Sequence, residues 1–186
     1  MRIYKFGISG SMMGHDEGIL KKAYMAGEEI AKSGNILMYG ACVGYPLEAV
    51  RGAISQKGSV VGISPALNRE EHIHDFAYTP GDKEIIIYSG LGKHARDVVF
   101  IRSTDAVIFI GGAEGSLLEF CVAYGNNKVI GILLGSGGIA DQLEAITDAF
   151  YHKPGVNPVI VKSSDPYELV MLVASELKKQ DEQQTY

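Results

Sequence analysis

Cysteine is scarce in this chain of 186 residues, where Cys42 and Cys121 are the only two. A disulfide framework is not expected, and the pair fits a reducing compartment in which each thiol is a small side chain among apolar neighbours. Cys42 borders a glycine turn, which leaves a reactive thiol open at that position. Positive charge is also short: 17 Lys and Arg stand against 22 Asp and Glu, the net charge is −5, and the basic residues are spread thinly. Nucleic acid and membrane surfaces, both recognised through a basic footprint, are not expected partners. No apolar run approaches the roughly 20 residues that span a bilayer. The segment Met1-Arg2-Ile3-Tyr4-Lys5-Phe6-Gly7 turns to glycine and serine too soon for a secretory signal, so a cytoplasmic location is expected. Two phosphate motifs are missing as well. No G-x-x-x-x-G-K-S/T occurs, and the first glycine turn, Gly7-Ile8-Ser9-Gly10-Ser11, lacks the full G-x-G-x-x-G. Neither an ATPase nor a standard dinucleotide dehydrogenase is indicated, and a mononucleotide or another phosphorylated ligand suits the chain better.

What is present is an alternation of strand-like and helix-like segments. With 46% hydrophobic residues, the chain is long enough for one well-buried domain, read as residues 1–179, with a polar tail at 180–186 expected to fray. Apolar β-type runs occur at Ile3–Ile8, Ile36–Tyr39, Ser59–Ile63, Glu84–Tyr88, Ala106–Ile110, Lys128–Leu134 and Pro158–Val161. Helices are expected over about Asp16–Lys32, after Val43-Gly44-Tyr45, and near His94–Arg102, Ser116–Tyr124, Ile139–Phe150 and Pro166–Lys179. The last has Asp165 as cap and Pro166 at its first position. Several strands are apolar throughout, which means burial on both faces. The fold class is then α/β, a three-layer single domain with a mostly parallel sheet of about seven strands.

In such sheets ligands bind beyond the carboxyl ends of the strands, at a topological switch point. Glycine-rich turns follow four of the strands, at Gly7–Ser11, Gly40–Gly44, Gly111–Gly115 and Gly135–Gly138. The third carries the most information. There the buried run Ala106–Ile110 empties into Gly111-Gly112-Ala113-Glu114-Gly115-Ser116-Leu117-Leu118-Glu119. A strand that ends in glycines and enters a helix leaves backbone N–H groups unpaired at the positive end of the helix dipole, a ready phosphate site.

The same segment resembles the P-G-G-x-G-T-x-x-E signature of the LONELY GUY family, also called lysine decarboxylase-like, a Rossmann-like group of cytokinin-activating nucleotide phosphoribohydrolases. The signature's glycine-threonine pair falls on Gly115 and Ser116 and its glutamate on Glu119. The family's arginine falls on Arg96, nine positions before Asp105-Ala106, while Gly10-Ser11 and Gly40–Val50 look like its first and second glycine loops. The resemblance covers roughly Ile3 to Asn126. It implies a ligand phosphate on Gly10, Ser11, Gly40, Gly111, Gly112, Gly115 and Ser116, with Glu119 and Arg96 acting where base joins ribose. Cleavage there builds positive charge on the sugar, which a carboxylate stabilises. A homodimer or higher homo-oligomer is implied too; no metal or cofactor is.

Departures from the pattern point away from the typical enzyme. Gly111 replaces the proline, Ala113 a glycine and Ser116 the threonine; Ala41, Cys42 and Tyr45 replace glycines of the second loop. Asp97 stands where the family has lysine, and Glu114 adds a carboxylate to the phosphate loop, so repulsion should weaken the usual nucleotide. These features resemble the relatives that include molybdenum-cofactor carriers and nucleotide sensors. The expected function is therefore binding of a nucleotide 5′-monophosphate or a similar, pterin-like phosphorylated ligand by a carrier or sensor. Hydrolysis to base and ribose 5-phosphate is the alternative.

Structural explanations compete at three places. Ser116-Leu117-Leu118-Glu119 spells a capping box, which would occupy both polar residues without a ligand. Arg96 could be an exposed arginine on a solvated helix face. Glu70-Glu71-His72-Ile73-His74-Asp75 puts two histidines on one face of an extended segment, as a metal site would need, but solvated charge explains the run equally well, and a lid or subunit contact is expected of this long connection through Asp82.

Overall fold

The computed structural model describes residues 2–76, 78–150 and 154–184. Seven strands, β1 (Lys5–Gly10), β2 (Ile36–Tyr39), β3 (Val60–Ser64), β4 (Glu84–Tyr88), β5 (Ala106–Ile110), β6 (Val129–Leu133) and β7 (Ile160–Ser163), form one sheet in the order β4-β3-β2-β1-β5-β6-β7. Every neighbouring pair is parallel. The seven helices are α1 (Glu17–Lys32), α2 (Tyr45–Ser55), α3 (Arg69–Phe76), α4 (Gly92–Ser103), α5 (Glu114–Gly125), α6 (Leu143–Asp148) and α7 (Pro166–Gln184).

Period-two alternation sorts the strand side chains into two cores. Phe6 and Ile8 of β1 join Ala106, Ile108 and Ile110 of β5 in a cluster beneath α1, α2 and α7. Val107 and Phe109 point the other way, into a cluster with Phe100 of α4 and Phe120 of α5. β5 is buried at every position, as an apolar strand between two helical layers must be. Helices α1 and α2 touch through glycine: a Cβ on Gly27 would overlap the Ala49 carbonyl, and one on Gly52 the Tyr24 carbonyl. The cap signals hold. Asp16 Oδ1 accepts from the Ile19 N–H at 3.0 Å, and Asp165 Oδ1 from the Glu168 N–H at 2.8 Å.

Several expectations need correction. The segment read as an extended loop contains α3, in which His72 and His74 cannot share a face. His72 turns inward, fully buried, with Nδ1 2.8 Å from Ser64 Oγ and its ring among Phe76, Tyr78 and Tyr88. His74 stays outside beside Asp75. Among the described residues no group of three metal-ligating side chains occurs. Residues 180–184 of the expected tail lie in α7, which continues to Gln184, and Asp181 accepts bonds from Arg2 and from the Tyr4 hydroxyl, the latter at 2.7 Å; residues 185–186 lie outside the described residues. The helix expected over Ile139–Phe150 is broken into a 3₁₀ turn at Ala140–Gln142 and the short α6.

Candidate functional site

The carboxyl ends of β1 and β2 and the first turns of α4 and α5 converge on one cavity of about 370 Å³. Each wall has a local cause. β1 sends Phe6 and Ile8 to one face, so Ser9 points to the other, and there its hydroxyl donates to Glu119 Oε2 on α5. On α4, Arg96 and Asp97 are 7% and 5% exposed, because that turn packs down onto the sheet. Arg96 was open to a reading as a solvated surface arginine; it is buried instead. Its Nε lies 3.2 Å from Asp97 Oδ1 in an ion-pair contact without hydrogen-bond alignment, and neither Nε nor Nη1 has a hydrogen-bond partner. The guanidinium reaches this place over Gly40, where any Cβ would overlap Nη1. Gly40 therefore serves the arginine.

The polar floor is electrostatically coupled. Burial, and next the charge of Asp97, push the Glu119 carboxyl up to about 8, against the hydrogen bond from Ser9 and the charge of Arg96. Burial also raises Asp97, while Arg96 pulls it back. Burial beside Asp97 thus favours the protonated form of Glu119, which is hydrogen-bonded to Asp97, while the charge of Arg96 favours the ionised form of Asp97 against its burial. Cys42 lines the same cavity, and burial pushes its thiol up to about 12, which removes the reactive reading left open for it.

The phosphate loop also differs from its sequence reading. α5 starts at Glu114 with Ala113 as N-cap, and no side chain caps it, so Ser116-Leu117-Leu118-Glu119 is not a capping box. Glu119 is free for Ser9 for that reason. The first intrahelical bond runs from the Leu117 N–H to the Ala113 carbonyl at 3.0 Å, which leaves the Glu114, Gly115 and Ser116 N–H groups at the open end facing the cavity their residues line. Ala113, with φ −135°, is not strained.

Seven of the nine expected residues, Glu119, Arg96, Gly10, Ser11, Gly40, Gly115 and Ser116, line this cavity. Gly112 lines a neighbouring one instead. Gly111 lines neither, and its N–H is not available to a ligand because it donates to Ser136 Oγ at 2.9 Å. Its part is the turn, at φ +63°. Tyr45, expected to narrow the crevice, packs against Gly14 and Gly111 and leaves the Arg96 cavity open. Sequence reasoning missed Ser9, Lys93 and His94, which also line it. Strand alternation could have found Ser9; the other two depend on where α4 begins.

An all-parallel seven-stranded sheet between two helical layers, with its cavity beyond the carboxyl ends of the central strands, defines a Rossmann-like α/β domain. Among the described residues no helix is long and apolar enough to cross a membrane. The chain belongs to the SLOG cluster4 family, whose model matches residues 3–170. A protein of Archaeoglobus fulgidus is 34% identical over 134 residues, which is 72% of this chain and 82% of that one. The molybdenum cofactor binding protein of the phototrophic bacterium Rippkaea orientalis superposes with a TM-score of 0.75 at 28% identity, over 95% of this chain and 99% of that one. The Moco carrier protein of Chlamydomonas reinhardtii does so with a TM-score of 0.74 at 25% identity, over 96% and 99%. The resemblance seen in the sequence thus holds for family and fold.

Proposed function

We propose that this chain binds a phosphorylated small molecule in the Arg96 cavity and carries it without turning it over. The observation that carries the reading is Arg96: two guanidinium nitrogens are buried in the cavity wall without hydrogen-bond partners, close to the open first turn of α5. Orphaned buried donors cost stability, and an anionic oxygen in the cavity would satisfy them. Lys93, which also lines the cavity, adds a cation. A nucleotide 5′-monophosphate or a phosphorylated pterin suits these donors, and the molybdenum cofactor named for the two structural relatives supports the pterin member of that pair.

The state of Glu119 disfavours its use as the stabilising carboxylate of a hydrolase. A carboxylate that stabilises a sugar cation must be ionised, whereas this one keeps its proton up to about pH 8. Glu119 and Arg96 are then binding and positioning groups. Ile85 and Ile87, both at least half exposed on edge strand β4, support a homo-oligomer, which sedimentation would test.

Melting the protein with a panel of nucleoside monophosphates and pterin phosphates, followed by mass spectrometry of the mixture, tests the proposal. A ligand that raises the melting temperature and is recovered intact is the expected result. No shift with any of them overturns the binding reading. Release of free base by the wild type but not by Glu119→Gln would replace carriage with catalysis.

A further inference from the structure

Across the β1–α1 loop from the Arg96 cavity lies a larger one, of about 520 Å³. Ser11 and Met13 line both. On the opposite rim the boundary falls within the β5–α5 loop, where Gly112 lines the larger cavity and Ala113 the smaller. Strands β1 and β5 are neighbours from which the chain proceeds in opposite directions, to β2 on one side and β6 on the other. The two cavities therefore flank the topological switch point, where open α/β sheets take ligands.

The larger cavity is built for a different chemistry. No Lys or Arg is among the described residues that line it; His15, Asp16, Tyr45 and the backbone of Gly135–Gly138 do. Asp141 fixes that glycine loop, its two oxygens accepting the Gly135 and Gly137 N–H groups at 2.9 and 3.0 Å. The His15 ring is set at the rim by Nδ1 at 2.7 Å from the Met13 carbonyl. Asp16 uses Oδ1 to cap α1, so Oδ2 has no part in that cap and can accept from a hydroxyl. The exposed His15 ring, a carboxylate acceptor and open glycine backbone over the buried Tyr45 ring match a ring-bearing, hydroxylated group such as a nucleoside, and match a phosphate poorly. The anion-seeking feature, Arg96 with its orphaned Nε and Nη1, stands in the other cavity.

We infer that the two cavities hold the halves of one ligand, a dinucleotide in which a pyrophosphate joins two ring-bearing groups. One half is held on the Arg96 side, the pyrophosphate crosses the Ser11–Met13 neck, and the second nucleoside fills the His15 and Asp16 side. The inference rests on the proposed phosphate reading of the Arg96 cavity. It also reverses the mononucleotide expectation, which followed from the missing G-x-G-x-x-G. Here Gly112 and the glycine loop after β6 line the space beside the neck, elements that no single-loop motif records.

Calorimetric titration with AMP and with P1,P2-di(adenosine-5′) pyrophosphate tests it, on the wild type and on a His15→Ala, Asp16→Asn double variant whose asparagine retains the helix cap. Because the second half binds as a tethered group, the pyrophosphate is expected to bind the wild type about tenfold tighter or more, and the double variant to bring that ratio close to unity. Equal affinities in the wild type, or a ratio that survives the double substitution, overturn the two-lobed ligand while the phosphate carrier stands. Failure of both compounds to bind likewise overturns the two-lobed ligand, and the phosphate carrier is then decided by the wider panel of nucleoside monophosphates and pterin phosphates.

Discussion

Replacing Glu119 with glutamine should make the protein more stable, and the gain should grow with pH. In the folded state the carboxyl titrates near 8 instead of 4.5, because it is buried beside Asp97. Below pH 4.5 both folded and unfolded chains hold the proton. Between 4.5 and about 8 the folded chain keeps it while the unfolded chain releases it, so stability falls as pH rises, by at most about 1.4 kcal/mol per unit. Above about 8 both states are ionised and the loss is complete, amounting to at most about 5 kcal/mol. A neutral amide of the same shape can donate to Asp97 and accept from Ser9 at every pH, so Glu119→Gln lacks this loss. Urea unfolding of both proteins between about pH 5 and 9 gives the two stability curves. They should nearly meet at the acid end and diverge toward the alkaline end, the variant lying higher. A separation independent of pH, or a variant less stable at pH 9, would refute the protonated carboxyl and with it the argument against hydrolysis.

Gly40→Ala forces a methyl group into Arg96 Nη1 and should cost about 1–3 kcal/mol by overpacking; in calorimetry this is about 2–4 °C of Tm per kcal/mol for a domain of this size, and the ligand-induced shift should vanish as well. Gly27→Ala and Gly115→Ala should have opposite signs in urea unfolding. Both gain up to about 1 kcal/mol of helix propensity, but a Cβ on Gly27 overlaps the rigid Ala49 carbonyl, whereas nothing lies within 4 Å of one on Gly115. Two stabilised variants would refute the close α1–α2 contact. Ending the chain after Lys179 removes the Asp181 bonds to Arg2 and Tyr4 and should lower stability by about 1–2 kcal/mol in the same measurement; an unchanged midpoint would show the end of α7 to be energetically idle.

Much of the site was legible because its clues are local. A buried apolar strand, a glycine turn and a helix start within Ala106–Glu119 specify a cluster of unpaired N–H groups wherever the chain folds. The conflicts arose where a partner comes from far along the chain. The capping box was sound as a local pattern, yet Ser9, 110 residues away, supplies the bond that Glu119 makes. Asp97 looked like a charge beside the ligand, and its role as partner of Arg96 depends on the burial of that turn of α4. α3 was missed because its pattern is mostly polar, with His72 its one buried residue; the rings that enclose His72 include Tyr78 and Tyr88, outside that helix.

By itself the sequence determined the α/β class, six of the seven helices in outline, all seven strands and the edge of the sheet that carries the candidate cavities, since hydrophobic period, glycine turns and caps act over a few residues. The tertiary structure alone decided which donors stay unpaired, how far Glu119 resists ionisation, and that two cavities meet at Ser11 and Met13. Those properties depend on solvent exclusion and on distances between groups remote in the chain, and no local pattern encodes them.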